Sequence, residues 1–273
     1  MITSKATKII KYTFLFFVTF FSLIPFLLML VMTTHTTEEI YTGISFIPGT
    51  NLLVNLGYVF SRAFFRSFYN SIIVSTAVTF FSVLFSSMTA YGLVAYRFRG
   101  HNLMYNFILL VMMIPGSISL VGYMYEMRIL RLTTTLIPII VPWFAHGFGA
   151  FWMTQYLKSS FEINLVESAR IDGCNELRLF FNIVIPCIRT AVVTLALLVF
   201  LWSWNSYLVP LIFINTSKNI TIPLYIKSLG NEFRTDHAAQ ITGLVISLVP
   251  IIALFIIFSK NFIQGITAGA VKG

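Results

Sequence analysis

Glu167-Ser168-Ala169-Arg170-Ile171-Asp172-Gly173, followed after nine residues by Ile183-Val184-Ile185-Pro186, is a polar, helix-forming island between two long apolar runs. Asn164 stands three residues before Glu167, a variant of the capping box, so a helix can start there with its first acid at the positive end of the dipole. Gly173 supplies the natural stop, because glycine adopts the left-handed conformation that ends helices. Such a helix has about two turns and is marginal alone in water, so it must be held by packing. A second segment, Asn175 to Asn182, sets Leu177, Phe180 and Phe181 on one side and Glu176 and Arg178 on the other. Pro186 then interrupts the chain before the next apolar run. Two readings are open from these residues alone: a connector lying on a membrane with an ordinary Asp-Gly turn, or an element that docks a partner in water.

The surroundings define the solvent. Of the 273 residues 58% are hydrophobic and 10% charged, with 28 Phe, against roughly 25% charged in soluble domains. This is an all-α polytopic membrane protein. Six segments are long and apolar enough to span, each needing about 20 residues. They lie near 11–32, 70–95, 103–126, 134–157, 190–212 and 240–262, in one membrane domain covering 1–273, with the polar loop at about 159–189. Lys5, Lys8 and Lys11 precede the first run, as in a signal peptide. It is too long for a signal h-region and no small-residue cleavage site follows it, so it reads as an uncleaved helix.

An even number of spans puts both termini on one side. Eleven basic residues fall there, including Lys5, Lys8, Lys11, Arg97, Arg99, Arg170 and Lys260, against seven on the other. The termini and the polar loop are therefore expected in the cytoplasm. The net charge of +9 belongs to this sidedness rather than to nucleic acid. On the outer side, Tyr58 to Arg66 looks like an amphipathic helix at the interface, and 215–239 is a polar loop.

No phosphate-binding G-x-x-x-x-G-K-[ST] loop occurs, so ATP chemistry is not expected in this chain. No carboxylate pair, Ser-His set or metal cluster appears, and Cys174 and Cys187 read as ordinary thiols. The spans hold no acid away from their ends, unlike those of ion-coupled carriers. His146 is the lone titratable group deep in a span, suited to lining a cavity or touching a neighbouring helix. Trp202, Trp204 and Asn205 could line a sugar path, since aromatic faces stack on sugars and amides bond hydroxyls; helix packing is the alternative use.

The pattern Glu167-Ser168-Ala169-x-x-Asp172-Gly173 with Ile183-x-Ile185-Pro186 resembles the signature loop of binding-protein-dependent ABC importer permeases, E-A-A-x-x-D-G then I-x-L-P. It departs mildly, at Ser168 and Ile185. Asn70-Ser71-Ile72-Ile73 and Ala90-Tyr91-Gly92-Leu93 resemble the second span of the carbohydrate branch, and Trp202-Ser203-Trp204-Asn205 its fifth. The ending from Gln264 to Gly273 is similar to the maltose-type second permease subunit, the MalG-like group. The resemblance implies the type I importer fold with six transmembrane helices, and a non-catalytic subunit of a sugar importer, for a substrate such as an oligosaccharide. It implies a coupling helix whose Glu167, Ser168, Ala169, Asp172, Gly173, Ile183 and Pro186 meet a cytoplasmic ATPase. It implies a tail with Gly265, Gly269 and Lys272 lying between two ATPase subunits that bind ATP and Mg. The partners implied are a second, different permease subunit, those ATPases and an extracytoplasmic sugar-binding protein. The rivals are a same-superfamily permease for a non-sugar solute, and a membrane scaffold whose loop recruits a cytoplasmic partner.

Overall fold

The computed structural model describes residues 5–230 and 235–270; apart from an isolated bridge between Gly230 and Thr235, their regular elements are all helical. In chain order the first are α1 (Lys5–Met32), α2 (Thr37–Thr42), α3 (Leu52–Val59), α4 (Arg62–Ala95), α5 (His101–Met113), α6 (Leu120–Ile129), α7 (Ile137–Ile140) and α8 (Gly147–Ser160). The loop follows as α9 (Asn164–Ile171), α10 (Glu176–Leu179), a π-helical stretch Phe180–Val184 and α11 (Ile185–Cys187). The chain then continues through α12 (Arg189–Trp204), α13 (Leu208–Phe213), α14 (Ile222–Lys227) and α15 (His237–Ala270).

Four helices are long and apolar enough to cross a membrane, at Thr7–Met32, Ala63–Ala95, Ile137–Ser160 and His237–Asn261. Two bent pairs, His101–Met113 with Gly116–Ile129 and Glu176–Cys187 with Arg189–Trp204, bring the number to as many as six if each pair counts as one span. The third pair of segments, His101–Met113 and Gly116–Ile129, turns by 87°, where Pro115 withholds an amide and pushes Ile114 into extended backbone. The run 190–212 is likewise not one helix. It breaks at Asn205–Tyr207, where the Asn205 side chain folds back on the Leu201 carbonyl at 2.8 Å and caps α12.

The chain divides into two compact units, Met1–Phe65 with Tyr225–Val249 and Arg66–Leu224 with Pro250–Gly273. In the first, α1 is apolar all round and leaves Phe14, Phe16, Phe20 and Phe21 exposed, a surface suited to lipid or another helix. Polar side chains fix the segments that follow α1. Thr36 and Glu39 close a capping box on α2, and the buried Asn55 amide donates to the Thr33 and His35 carbonyls at 2.8 Å each. The Tyr225 hydroxyl donates to Val59 O at 2.9 Å, leaving its oxygen to accept from Ser61. The amphipathic segment expected at Tyr58–Arg66 is not one helix. α3 ends at Val59, and Ser61 accepts the Phe64 amide and starts α4, so Arg62 and Arg66 belong to its first turns.

In the second unit, one continuous apolar core joins the spans to the loop. Val74, Val78, Ala90 and Tyr91 of α4 and Met153 and Leu157 of α8 meet Val166, Ala169, Leu179, Phe180 and Val184 of the loop, and Ile188, Ala191 and Leu195 beyond it. This packing supplies what two turns of helix lack in water; burying one such aliphatic side chain contributes on the order of 1.5–3 kcal/mol.

Candidate functional site

The loop is built from its glycine outward. Asp172 ends α9, and Gly173 takes φ +80°, in the left-handed region. The Cys174 amide then reaches Ala169 O and the Gly173 amide reaches Arg170 O, both at 3.0 Å. Those two bonds are the paired 6→1 and 5→2 closure that satisfies the last helical carbonyls. Immediately afterwards Asn175 Oδ1 accepts the Arg178 amide at 2.8 Å and starts α10. Two of the sequence expectations for this region need correction. Asn164 is not the cap: Ile163 occupies that position without a side-chain bond, and the first amides turn to Glu162 O and Ile163 O. The buried face of the second segment is Leu179, Phe180 and Val184, while Leu177 and Phe181 are exposed: Leu177 and Leu179, two apart, point to nearly opposite sides of α10, and the core lies on the Leu179 side.

α9 is amphipathic in a specific sense. Val166 and Ala169 face the chain's own core, so Ala169 is unavailable to an outside partner; Glu167, Ser168, Ile171, Asp172 and Gly173 are exposed. Ile171 is 86% exposed, an apolar side chain at the tip of a polar loop. Beyond α10, Ile183 is half-buried against the core, Pro186 is exposed, and the axis turns by 83° into α12.

Beside this surface a partly exposed polar cluster ties the loop to α4. Arg170 Nε donates to Glu176 Oε1 at 2.8 Å, and Tyr91 OH donates to Glu176 Oε2 at 2.7 Å. The Arg170 guanidinium lies over the Tyr96 ring, 4.8 Å from its centroid. The bond from Arg170, followed by those from the tyrosines, holds the Glu176 carboxyl down at about 2. Arg170 is correspondingly raised by Glu176. Sequence reasoning missed Glu176 and Tyr91 as a pair. The available signal was an opposite charge six residues after Arg170 across a reversing Gly173 turn.

The residues suggested for a solute path separate into two places. His146 Nδ1 lies 2.9 Å from Ser82 Oγ, and its ring touches Trp143 and Trp202 with centroids 5.1 and 5.8 Å away. His146 and Trp143 also line an open cavity of about 790 Å³, together with Tyr123, Glu126 and Leu208. Trp204 is elsewhere: it is 2% exposed, stacked on Phe200 and edge-on to Phe68, the surroundings of a packing residue. Asn205 is exposed and its amide is committed to Leu201 O. Gly265 and Gly269 lie within α15, and Lys272 lies outside the described residues.

Among the described residues the class is that of a helical membrane protein: segments long and apolar enough to span, two of them in bent pairs, and a polar loop packed into their core. Residues 82–268 match the family of binding-protein-dependent transport system inner membrane components, and the chain belongs to that family. The arabinooligosaccharides transport system permease protein AraQ of Halalkalibacterium halodurans is 34% identical over 262 residues, 94% of either chain. The lactose transport system permease protein LacG of Rhizobium radiobacter is 30% identical over 270 residues, 98% of this chain and 97% of its own. The sn-glycerol-3-phosphate transport system permease protein UgpE of Escherichia coli is 26% identical over 254 residues, 89% and 90% of the two chains. In fold, a chain of a bacterial ABC transporter involved in alginate import superposes with a TM-score of 0.79 over 96% of this chain and 99% of that one, at 21% identity. The fold is thus that of a type I ABC importer permease.

Proposed function

We propose that this chain is one of two different permease subunits of an ATP-driven importer for a saccharide, with an oligosaccharide the best fit. An extracytoplasmic binding protein delivers the solute, and two cytoplasmic ATPase subunits bind ATP and Mg and supply the work. The chain itself is non-catalytic. The observation that carries this reading is the loop at 164–186: a short helix, welded to the membrane core by Val166 and Ala169, presents Glu167, Ser168, Ile171, Asp172 and Gly173 outward. A partner that grips these residues displaces the spans with them, which is what coupling between two states requires. The saccharide is supported by the relatives named for arabinooligosaccharides and lactose. His146, Trp143 and Trp202 form an aromatic, hydroxyl-bonded surface suited to sugar rings, while Ile183 and Pro186 set the angle at which the loop enters α12. The tail with Gly265, Gly269 and Lys272 would extend the ATPase contact. The excess of Lys and Arg on the loop and termini side supports a cytoplasmic position for both ends.

A second reading, a non-sugar solute, is favoured by one relative named for sn-glycerol-3-phosphate. One experiment addresses both. The tagged chain is purified from its native membrane, the co-purifying subunits are identified, and the recovered binding protein is titrated with arabinooligosaccharides, lactose and sn-glycerol-3-phosphate. Recovery of a permease, an ATPase and a saccharide-binding protein is expected. A binding protein that takes only the glycerol phosphate would replace the substrate class, and recovery of the chain alone or with a signalling protein would overturn the transporter reading.

A further inference from the structure

We infer that Glu176 is a positioning residue that locks α9 to the cytoplasmic end of the second span, so that α4 and α9 move as one body when the loop is displaced. This rests on the permease reading above. An apolar contact between helices can slide, because dispersion and burial are non-directional. A carboxylate that receives bonds from two elements cannot slide without losing one of them. Glu176 has this arrangement: Oε1 accepts from Arg170 at the end of α9 and Oε2 accepts from Tyr91 on α4, at 2.8 and 2.7 Å. The third side is closed by Tyr96, just past the end of α4, whose ring lies under the Arg170 guanidinium while its edge meets Tyr91 at 5.8 Å. Residues of α4 and α9 therefore converge on one charged group of α10, which is half-exposed while its Tyr91 partner is buried.

Chain connectivity alone points elsewhere. α9 continues through α10 and α11 into α12, with a bend of 83° at the junction, and backward into α8. No covalent route of comparable length joins α9 to α4, which is 69 residues before it in sequence by its last residue, Ala95 against Asn164. The Glu176 cluster supplies the missing connection. It is charge-assisted at both bonds, so it is stronger than neutral hydrogen bonds of the same number. Tyr91 itself is 7% exposed and its ring is held at a tilt against Phe180, 5.8 Å between centroids, so its hydroxyl is directed by packing as well as by Glu176.

The test uses the whole complex in nanodiscs, with Cys174→Ser and Cys187→Ser to clear the native thiols. Spin labels go on Met88→Cys in α4 and Leu165→Cys in α9, both exposed. The distance distribution is recorded without nucleotide and with MgATP held by a hydrolysis-deficient ATPase. In the parent the distribution is expected to be the same in both states. In Glu176→Gln, and in the conservative Tyr91→Phe, it is expected to broaden or shift on MgATP, while ATPase subunits still co-purify in the parent ratio. ATP hydrolysis should be kept within about twofold, with binding-protein stimulation falling roughly tenfold, a typical coupling free energy expressed as a ratio. A parent distance that changes with MgATP would overturn the inference, as would variants that keep the parent's invariant distance. Failure of the parent chain to assemble with an ATPase would instead sink the permease reading, and is read from the same gel.

Discussion

The Cys174 amide donates to the Ala169 carbonyl across 3.0 Å, closing the end of α9 over a residue at φ +80°. That bond sets the direction in which the chain leaves the exposed helix, and it needs Gly173 for conformation rather than space. A Cβ at Gly173 meets nothing within 4 Å. Gly173→Ala should therefore cost about 1–2 kcal/mol, the penalty for a left-handed alanine, and Gly173→Asn less. Thermal unfolding of the purified complex checks the order. Gly173→Trp adds bulk into a space empty in this chain. A loss of ATPase assembly beyond that of the alanine variant would report a partner surface there; equal behaviour of the two would remove Gly173 from the contact.

Acid should loosen the loop in a definite window. Glu176 lies at about 2 in the fold against an ordinary 4.5. A depressed carboxyl contributes stability that is present above the ordinary value and lost as pH falls towards the folded one. Hydrogen exchange of residues 170–178 should then be slower in the parent than in Glu176→Gln at neutral pH. The two should converge as pH falls from about 4.5 to about 2. A difference that persists unchanged at the acid end would contradict the ion pair.

The two tryptophans of the Trp202-Ser203-Trp204 stretch should behave oppositely. Trp204 is almost wholly buried between Phe200 and Phe68, so Trp204→Ala should destabilise by about 3–5 kcal/mol. Trp202 is 42% exposed, and its edge contacts to His146 and Phe148 are worth about 1 kcal/mol. Trp202→Ala should spare the fold and reduce solute import in proteoliposomes. If import is unchanged while the protein is intact, the aromatic surface at His146 is not on the path.

Helix contact between α4 and α8 depends on a missing side chain. At Gly149 a Cβ would collide with Ser86 Oγ and come within 3.0 Å of His146 Nδ1. Gly149→Ala is expected to cost about 1–3 kcal/mol by overpacking. Ser86 Oγ is buried without a hydrogen-bond partner, so Ser86→Gly added to Gly149→Ala should restore much of the loss. Simple additivity of the two changes in unfolding midpoint would show that the residues do not meet.

What was readable in the sequence, and what was not, follows the range of the forces involved. The spans near 70–95 and 240–262 and the stop at Gly173 depend on apolar length and on one residue's allowed conformations, and these are local. The axis breaks were harder. Pro115 cannot donate an amide wherever it stands, but nothing in its identity fixes a turn of 87° rather than a mild kink. The break at Asn205 depends on an amide choosing its own helix's carbonyl over solvent or solute, a choice set by neighbours. Leu177 and Leu179 are chemically alike, and only the way α10 packs on the rest of the core decides which one is buried. The link from Tyr91 to Glu176 spans 85 residues, beyond any periodicity.

The near-right angle at Ile188 has a mechanical meaning. Motion directed along the helical stretch Glu176–Cys187 has almost no component along Arg189–Trp204, since their axes differ by 83°. A push from the water side can therefore tip or swing the fifth span but can hardly drive it deeper. Its apolar girth keeps its level against the hydrocarbon, and no charged residue need be dragged through lipid. On the permease function proposed above, such a lever changes tilt and spares depth, so the cost of solvation stays nearly constant across a stroke.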